Sequence, residues 1–263
     1  MKKSFVYALV AAFLLSSCAS VPLAGRKRLM LVSETETLQS SLTEYNSYMS
    51  TATKSTSKTG QAQVERVGKR IAAAAEKFMN DNGLSADVAN YSWEFTLVKD
   101  QEINAFCMPG GKIVVYEGLM PLVGCDDDLA VVIGHEVAHA VARHSSERMS
   151  QQLLAQYGAA VIGAAVSQKS EMTQQMASVV YGLGAQYGVM LPFSRKHESE
   201  ADYMGLVFMT LAGYDPEQAV SFWEKMAASS STSIPAILSS HPSDSQRIAD
   251  IQKRLPKIEL KYK

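Results

Sequence analysis

The order His135-Glu136-Val137-Ala138-His139 constrains this chain more than any other feature. It lies in a stretch, Asp128 to Arg143, that reads as a helix rich in Val131, Val132, Ile133, Val137, Ala138 and Val141. Such a helix is apolar nearly all round and has to be buried. Two histidines four positions apart are rotated by about 40°, so both rings leave from one face and can share a metal ion. Glu136 stands beside them, where a carboxylate can take a proton from water activated by that ion. A buried helix holds two histidines and a glutamate only when they have partners. The pattern therefore predicts a zinc site with His135 and His139 as ligands and Glu136 as its base.

A catalytic zinc takes three protein ligands and keeps one position open. A third histidine six residues after His139 is excluded, because Ser145 stands there, and Ala142 replaces the glycine that arrangement needs. The other source is Ser194 to Asp202, the start of an expected helix that runs to about Leu211 with Ser194 as N-cap behind Pro192. On that helix Glu198 and Asp202 share a face, whereas Glu200 points about 160° away. This suits Glu198 on the metal and Asp202 behind it, hydrogen-bonding the far nitrogen of a ligand histidine. A solvated acidic helix start, favourable to the helix dipole, is the competing reading of the segment.

Taken together, the residues resemble the gluzincin metallopeptidases of the HtpX and CAAX-prenyl-protease type, in particular their periplasmic lipoprotein branch. The likeness runs from Pro22-Leu23-Ala24-Gly25-Arg26 through Asn104-Ala105-Phe106 and Pro109-Gly110-Gly111 to the His135–His139 motif. It continues in Ser194-Arg195, Glu198-x-Glu200-Ala201-Asp202, His241-Pro242 and Arg247-Ile248. The resemblance supports Glu198 as third ligand. It also implies that Asn104, Ala105 and Phe106 form an edge that pairs with substrate backbone, where the residues alone suggest an ordinary hairpin turning at Pro109-Gly110-Gly111. It further implies that His241 and Arg247 face the metal and stabilise an oxyanion, or that His241 caps the zinc in a latent state. A loop histidine and a solvated helix arginine are the plain alternatives. His144, about 180° round the helix from His135, and His197, one position off the Glu198 face, are expected to reach solvent or a helix end.

Lys2 and Lys3 precede an apolar run from Phe5 to Leu15, a signal-peptide core too short to span a bilayer. Leu15-Ser16-Ser17-Cys18 resembles a bacterial lipobox, so residues 1–17 are expected to be removed and Cys18 acylated. An ordinary secretory signal is the alternative. Alanine at position 19 resembles an outer-membrane address, which places the expected protein on the periplasmic face of that membrane. The remaining 246 residues carry 23 basic and 26 acidic groups, and no Lys/Arg-rich face stands out. Nucleic acid is therefore not an expected partner. Cys107 and Cys125 could pair in an oxidising compartment or remain thiols.

The rest of the chain reads as a tether over 18–30 and one domain over 31–263. Helices are expected over Glu34–Ser50, Val64–Phe78, Pro216–Ala228 and Ser243–Leu255, and strands over Tyr91–Val98 and Lys112–Tyr116. Thr51–Gly60 and Ser229–Ser233 read as linkers, and Asp126, Asp127 and Asp128 as the cap of the motif helix. Between Gln151 and Phe193 the only charges are Lys169 and Glu171. That stretch reads as a buried helical pair beneath the motif helix, or as an apolar lid near a bilayer. The expected fold is α+β, a mostly helical zincin with one small sheet. The expected function is zinc-dependent endoproteolysis of misfolded or misassembled envelope proteins by a membrane-anchored enzyme, with one zinc per chain. A chaperone-like lipoprotein with a structural zinc is the rival, and a prenyl-type peptidase a weaker third.

Overall fold

Hydrophobic periodicity places the helices, and glycines decide where they touch. The computed structural model describes residues 18–23, 25–186, 190–229, 236–241 and 245–263. The chain divides into two compact units, residues 1–37 with 143–196, and residues 38–142 with 197–263. The signal-peptide run and Ala24 fall outside the described residues, as do most of the Ser229–Ser233 linker and Pro242.

The smaller unit opens with two short antiparallel strands, β1 (Cys18–Ser20) and β2 (Lys27–Leu29), in register Cys18↔Leu29. The expected tether is thus a hairpin, because the turn between the strands is closed by the Val21 N–H donating to the Arg26 carbonyl at 2.8 Å. The first residues of α1 (Glu34–Thr51) belong to this unit and the remainder to the larger one.

The larger unit is built on a three-stranded sheet. Helix α2 (Lys58–Asp81), capped by Ser57, leads through a short turn α3 (Ser85–Val88) to β3 (Glu94–Val98). Strands β4 (Ala105–Met108) and β5 (Lys112–Tyr116) follow, in the order β3-β5-β4, with β3 parallel and β4 antiparallel to β5. The β4–β5 turn needs glycine at 111, where φ is +85° and a Cβ would lie 2.6 Å from the Trp93 ring. Tyr45 of α1 packs on Val98, Val114 and Tyr116, so α1 covers one sheet face. The other face receives α2, whose Val64, Val67, Ile71 and Ala75 are fully buried. Gly68 lets Phe95 approach, since a Cβ there would meet the ring at 2.2 Å.

A 3-10 turn over Glu117–Leu122 leads to α4 (Asp126–Val141), the motif helix, buried over nearly its whole length. The acidic start does not cap it in the expected way. Cys125 is the N-cap and offers no side-chain bond; Asp128 instead accepts from the Gly124 N–H at 2.8 Å, and Asp126 takes Arg66 and Gln63 of α2. Both Cys107 and Cys125 are free thiols.

Arg143, in the left-handed region at φ +55°, ends the helical path and begins the second stretch of the smaller unit. There α5 (His144–Val166) and α6 (Glu171–Ala185) form a hairpin. The expectation of a buried pair fails: beyond Gln151 no described residue of either helix is buried. Among the described residues no helix is long and apolar enough to cross a membrane. Helix α7 (Leu191–Leu211) starts three residues earlier than its expected cap at Ser194, with Pro192 in its first turn where a missing N–H costs nothing. Helices α8 (Gln218–Ser229), α9 (Ala236–Ser240) and α10 (Ser245–Tyr262) complete the larger unit.

Candidate zinc active site

The site exists because α4 and α7 cross at two glycines. A Cβ on Gly205 would lie 3.0 Å from both the Gly134 carbonyl carbon and the His135 nitrogen, so the helices meet backbone to backbone. The turn after Gly134 on α4 carries His135, Glu136 and His139. The turns before Gly205 on α7 carry Glu198 and Asp202. Close approach at the crossing is what lets short carboxylates reach the imidazoles. Gly205→Ala is therefore expected to destabilise the protein by about 1–3 kcal/mol, because backbone cannot yield as a side chain can. Urea unfolding of the zinc-loaded protein measures this, and an unchanged midpoint contradicts it.

His135, His139, Glu198 and His241 converge, each offering one ligand atom within 4.8 Å of the others. His135 Nε2 lies 3.0 Å from His139 Nε2, 3.3 Å from His241 Nδ1 and 3.2 Å from Glu198 Oε2. Glu198 Oε2 lies 2.9 Å from His241 Nδ1, and its Oε1 3.5 Å from His139 Nε2. Nitrogen and oxygen ligands about 2.05 Å from a tetrahedral zinc stand about 3.3 Å apart, which is the spacing seen. Glu198 Oε1 is buried and accepts no hydrogen bond among the described residues. Three lone-pair nitrogens and an unsatisfied carboxylate oxygen facing one point fit a divalent cation and little else.

The electrostatics agree. Burial and the Arg247 charge both push the His135 imidazole down, but its bonds to Asp202 and Glu198 prevail and hold its pKa at about 9. Burial alone would raise Glu198, yet the His139 charge and bonds from all three histidines hold it far below the usual carboxylate range. The carboxylates thus draw a proton onto the cluster where a cation belongs. Burial raises Glu136, whose Oε1 has no hydrogen bond and sits 3.5 Å from His241 Nε2.

Behind the ligands, Asp202 Oδ1 lies 3.0 Å from His135 Nδ1. Arg247 grips the same carboxylate with Nε at 2.8 Å and a terminal nitrogen at 2.6 Å, and its guanidinium lies 3.7 Å above the Trp223 ring. Burial opposes ionisation of Asp202, but Arg247 and His135 bring its pKa down to about 2. Arg247 is thereby committed to Asp202 and stands 3.9 Å from the nearer Glu198 oxygen, which turns it away from the oxyanion role implied by resemblance. His241 is carried in at the end of α9, whose Ile237 N–H donates to the Ile103 carbonyl at 3.1 Å, one residue before Asn104.

Among the described residues strand β4 pairs with β5 alone, on one side. The Phe106 side chain turns from the site to Tyr48 and Tyr116, with centroids 5.3 and 6.1 Å away. Ala105 is buried, and its N–H donates to the Asn104 side chain at 2.9 Å. The Cys107 N–H donates to the Glu136 carboxylate, which ties the strand to the motif. Sequence reasoning missed Cys107, although period two from Ala105 puts it on the same face; it also missed Trp223, for which no local pattern speaks. His144, expected at a helix C-terminus, opens α5, and His197, expected near solvent, shares the buried side of α7; each is 1% exposed.

Comparison with known proteins agrees with this geometry. Residues 58–255 match Peptidase family M48. The chain is 38% identical over 200 residues to the mitochondrial metalloendopeptidase OMA1 of Schizosaccharomyces pombe, covering 75% of this chain and 54% of that one. It is 37% identical over 177 residues to the Arabidopsis thaliana protein of the same name, covering 67% and 34%. With the β-barrel assembly-enhancing protease of Escherichia coli it shares 31% over 168 residues, covering 62% and 34%. The chain thus spans about a third to a half of these relatives. The expected bacterial outer-membrane address is corrected by these matches, since the two of higher identity are named as mitochondrial proteins. A lipobox-like tetrapeptide is too short a signal to outweigh likeness over most of the chain. The matched span encloses the whole His/Glu cluster, and the chain belongs to peptidase family M48, the zinc metallopeptidases.

Proposed function

We propose that this protein is a zinc-dependent endopeptidase that cuts extended segments of polypeptide at the His135–His139 site. His135, His139 and Glu198 would hold the metal, and the tetrahedral spacing of their ligand atoms is the observation that carries the reading. Zinc in this set supplies Lewis acidity, polarising a carbonyl and making water acidic near neutral pH. Glu136 takes the proton of the attacking water on its carboxylate and delivers it to the leaving amide nitrogen. The open edge of β4 over Asn104, Ala105 and Phe106 aligns substrate backbone as an added strand, which gives affinity with little side-chain preference. Such an edge suits misfolded or misassembled chains, whose backbone is exposed. Chelator-sensitive cleavage of casein tests the proposal; zinc bound at one per chain with no cleavage by any form of the protein sinks it. The chaperone-like reading with structural zinc leaves the buried Glu136 carboxylate without a purpose.

Asp202 fixes the His135 tautomer, and Arg247, clamped over Trp223, fixes Asp202. Asp202→Asn is expected to weaken zinc binding roughly 10–100-fold, since outer partners of metal-bound histidines carry that much affinity. Competition with a chromophoric chelator reads it directly, and an unchanged affinity removes Asp202 from the site. His241 would stand at the fourth ligand position of a bound zinc and hold the enzyme latent. Acylation of Cys18, which would anchor the chain to a membrane, rests on the Leu15–Cys18 order. An N-terminal peptide without added acyl mass in the purified protein rules it out.

A further inference from the structure

We infer that Trp223 is a positioning residue of the metal site: its ring holds Arg247 on Asp202 and so decides which nitrogen of His135 carries the proton. The inference rests on the zinc reading of the cluster. The observation behind it is a crowded nitrogen. His135 Nδ1 has Asp202 Oδ1 at 3.0 Å and Arg247 Nη2 at 3.1 Å, the first an acceptor and the second a donor. A neutral imidazole nitrogen serves one or the other. Donating to Asp202 keeps the proton on Nδ1 and leaves the Nε2 lone pair facing His139, Glu198 and His241. Accepting from Arg247 moves the proton to Nε2, and that lone pair is gone. The first state can hold a metal ion; the second cannot.

Which state prevails depends on where the guanidinium is aimed. Arg247 meets both Asp202 oxygens, with Nε 2.8 Å from Oδ2 and Nη2 2.6 Å from Oδ1. Such a fork holds while guanidinium and carboxylate stay in one plane. A tilt breaks it and frees Nη2 to donate to His135 Nδ1. Arg247 Nη1 makes a long bond of 3.4 Å to the His241 carbonyl, a weaker hold than the fork. The Trp223 ring supplies the restraint: the guanidinium carbon lies 3.7 Å from its centroid, and the residue is 1% exposed. A cation stacked on a buried π face is held against it without a further hydrogen bond. The ring does this without a second carboxylate, so the negative charge stays with the ligands and Asp202.

The ring is itself fixed in place. Trp223 is buried on α8 together with Ala219, Phe222 and Met226, and Phe222 meets it edge-on with centroids 5.6 Å apart. It also borders His135, with centroids 6.0 Å apart and planes inclined by 69°. The cavity beside His135, Asp202 and Trp223 measures about 10 Å³, room for one water at most. No solvent shell is there to replace a lost bond or to stabilise a displaced cation. Among the described residues α8 supplies no ligand to the cluster, yet one of its side chains sets the proton position on a ligand of α4.

The test compares the full chain, loaded with zinc, with Trp223→Leu, Trp223→Phe and Arg247→Lys. Leucine and phenylalanine are both smaller than tryptophan, but phenylalanine alone keeps a π face. Zinc affinity is read by competition with a chromophoric chelator, and exchange of the His135 Nδ1 proton by NMR on protein with isotope-labelled histidine. The expected result is an affinity loss of about tenfold in Trp223→Leu, recovered to within about threefold in Trp223→Phe. The Nδ1 proton exchanges at least about tenfold faster in Trp223→Leu and stays protected in Trp223→Phe. Arg247→Lys follows the leucine variant, because an ammonium neither forks nor stacks as a guanidinium does, and it carries the test if Trp223→Leu does not fold. Parent-like affinity and exchange in Trp223→Leu, with the urea midpoint alone lowered, reduce the ring to packing and overturn the inference. Equal losses with phenylalanine and leucine overturn it as well, and so does parent-like behaviour of Arg247→Lys. A parent chain that binds no zinc sinks the zinc reading itself, whereas one zinc per parent chain with unaffected variants sinks this inference alone.

Discussion

Glu136→Gln is expected to lower peptidase turnover by roughly 10²–10⁴-fold and to leave zinc bound at one per chain. The amide has the shape of the carboxylate and retains the bond from the Cys107 N–H, so strand β4 stays in place. What it loses is the ability to accept a proton. Among the described residues the other carboxylates of the cluster are taken: Asp202 is buried behind His135 and committed to Arg247, and Glu198 faces the three histidines. Casein cleavage and zinc content, measured on one preparation, give both halves of the result. Loss of zinc along with activity would make Glu136 a structural residue and not a base.

His241→Ala is expected to raise kcat/KM for casein about tenfold or more. His241 Nδ1 stands 3.3 Å from His135 Nε2 and 2.9 Å from Glu198, which is where the open ligand position of a catalytic zinc should be. Substrate and this ring compete for one place. A closed state favoured by as little as about 1.4 kcal/mol leaves roughly one molecule in eleven able to bind. Removing the ring removes that competition and leaves three ligands of the usual catalytic set. The substitution also deletes the contact of Nε2 with Glu136 at 3.5 Å, which frees the carboxylate to meet water. Initial rates at casein well below KM separate the two variants cleanly, for one falls and the other rises. A kcat/KM unchanged or lower in His241→Ala would return His241 to a role in the reaction itself.

The two predictions rest on residues of unequal visibility in the sequence. His135, Glu136 and His139 lie within five positions, and helical geometry alone puts the imidazoles together. Glu198 and Asp202 were legible as a pair because they share a face, although nothing local links them to α4. His241 and Arg247 were reached through resemblance, and the structure gave Arg247 a different partner from the one implied. The reason is packing: the guanidinium lies over Trp223, which holds it on Asp202. His197 was misjudged for a related reason, since exposure depends on what covers a helix and not on its own period.

The α5–α6 stretch shows the limit most plainly. A run of apolar residues with two charges reads most simply as a core, whereas beyond Gln151 no described residue of either helix is buried. By itself the sequence determined the long helices around the motif, two strands of the sheet, the metal chemistry of the motif, and the face on which His135, His139, Glu198 and Asp202 leave their helices. These follow from periods of 3.6 and 2.0 that any short segment expresses. Tertiary structure decided that α4 and α7 cross at Gly134 and Gly205, that His241 converges with His135, His139 and Glu198, and that Arg247 bonds Asp202. Each of these joins residues tens of positions apart through close packing, which no local pattern encodes.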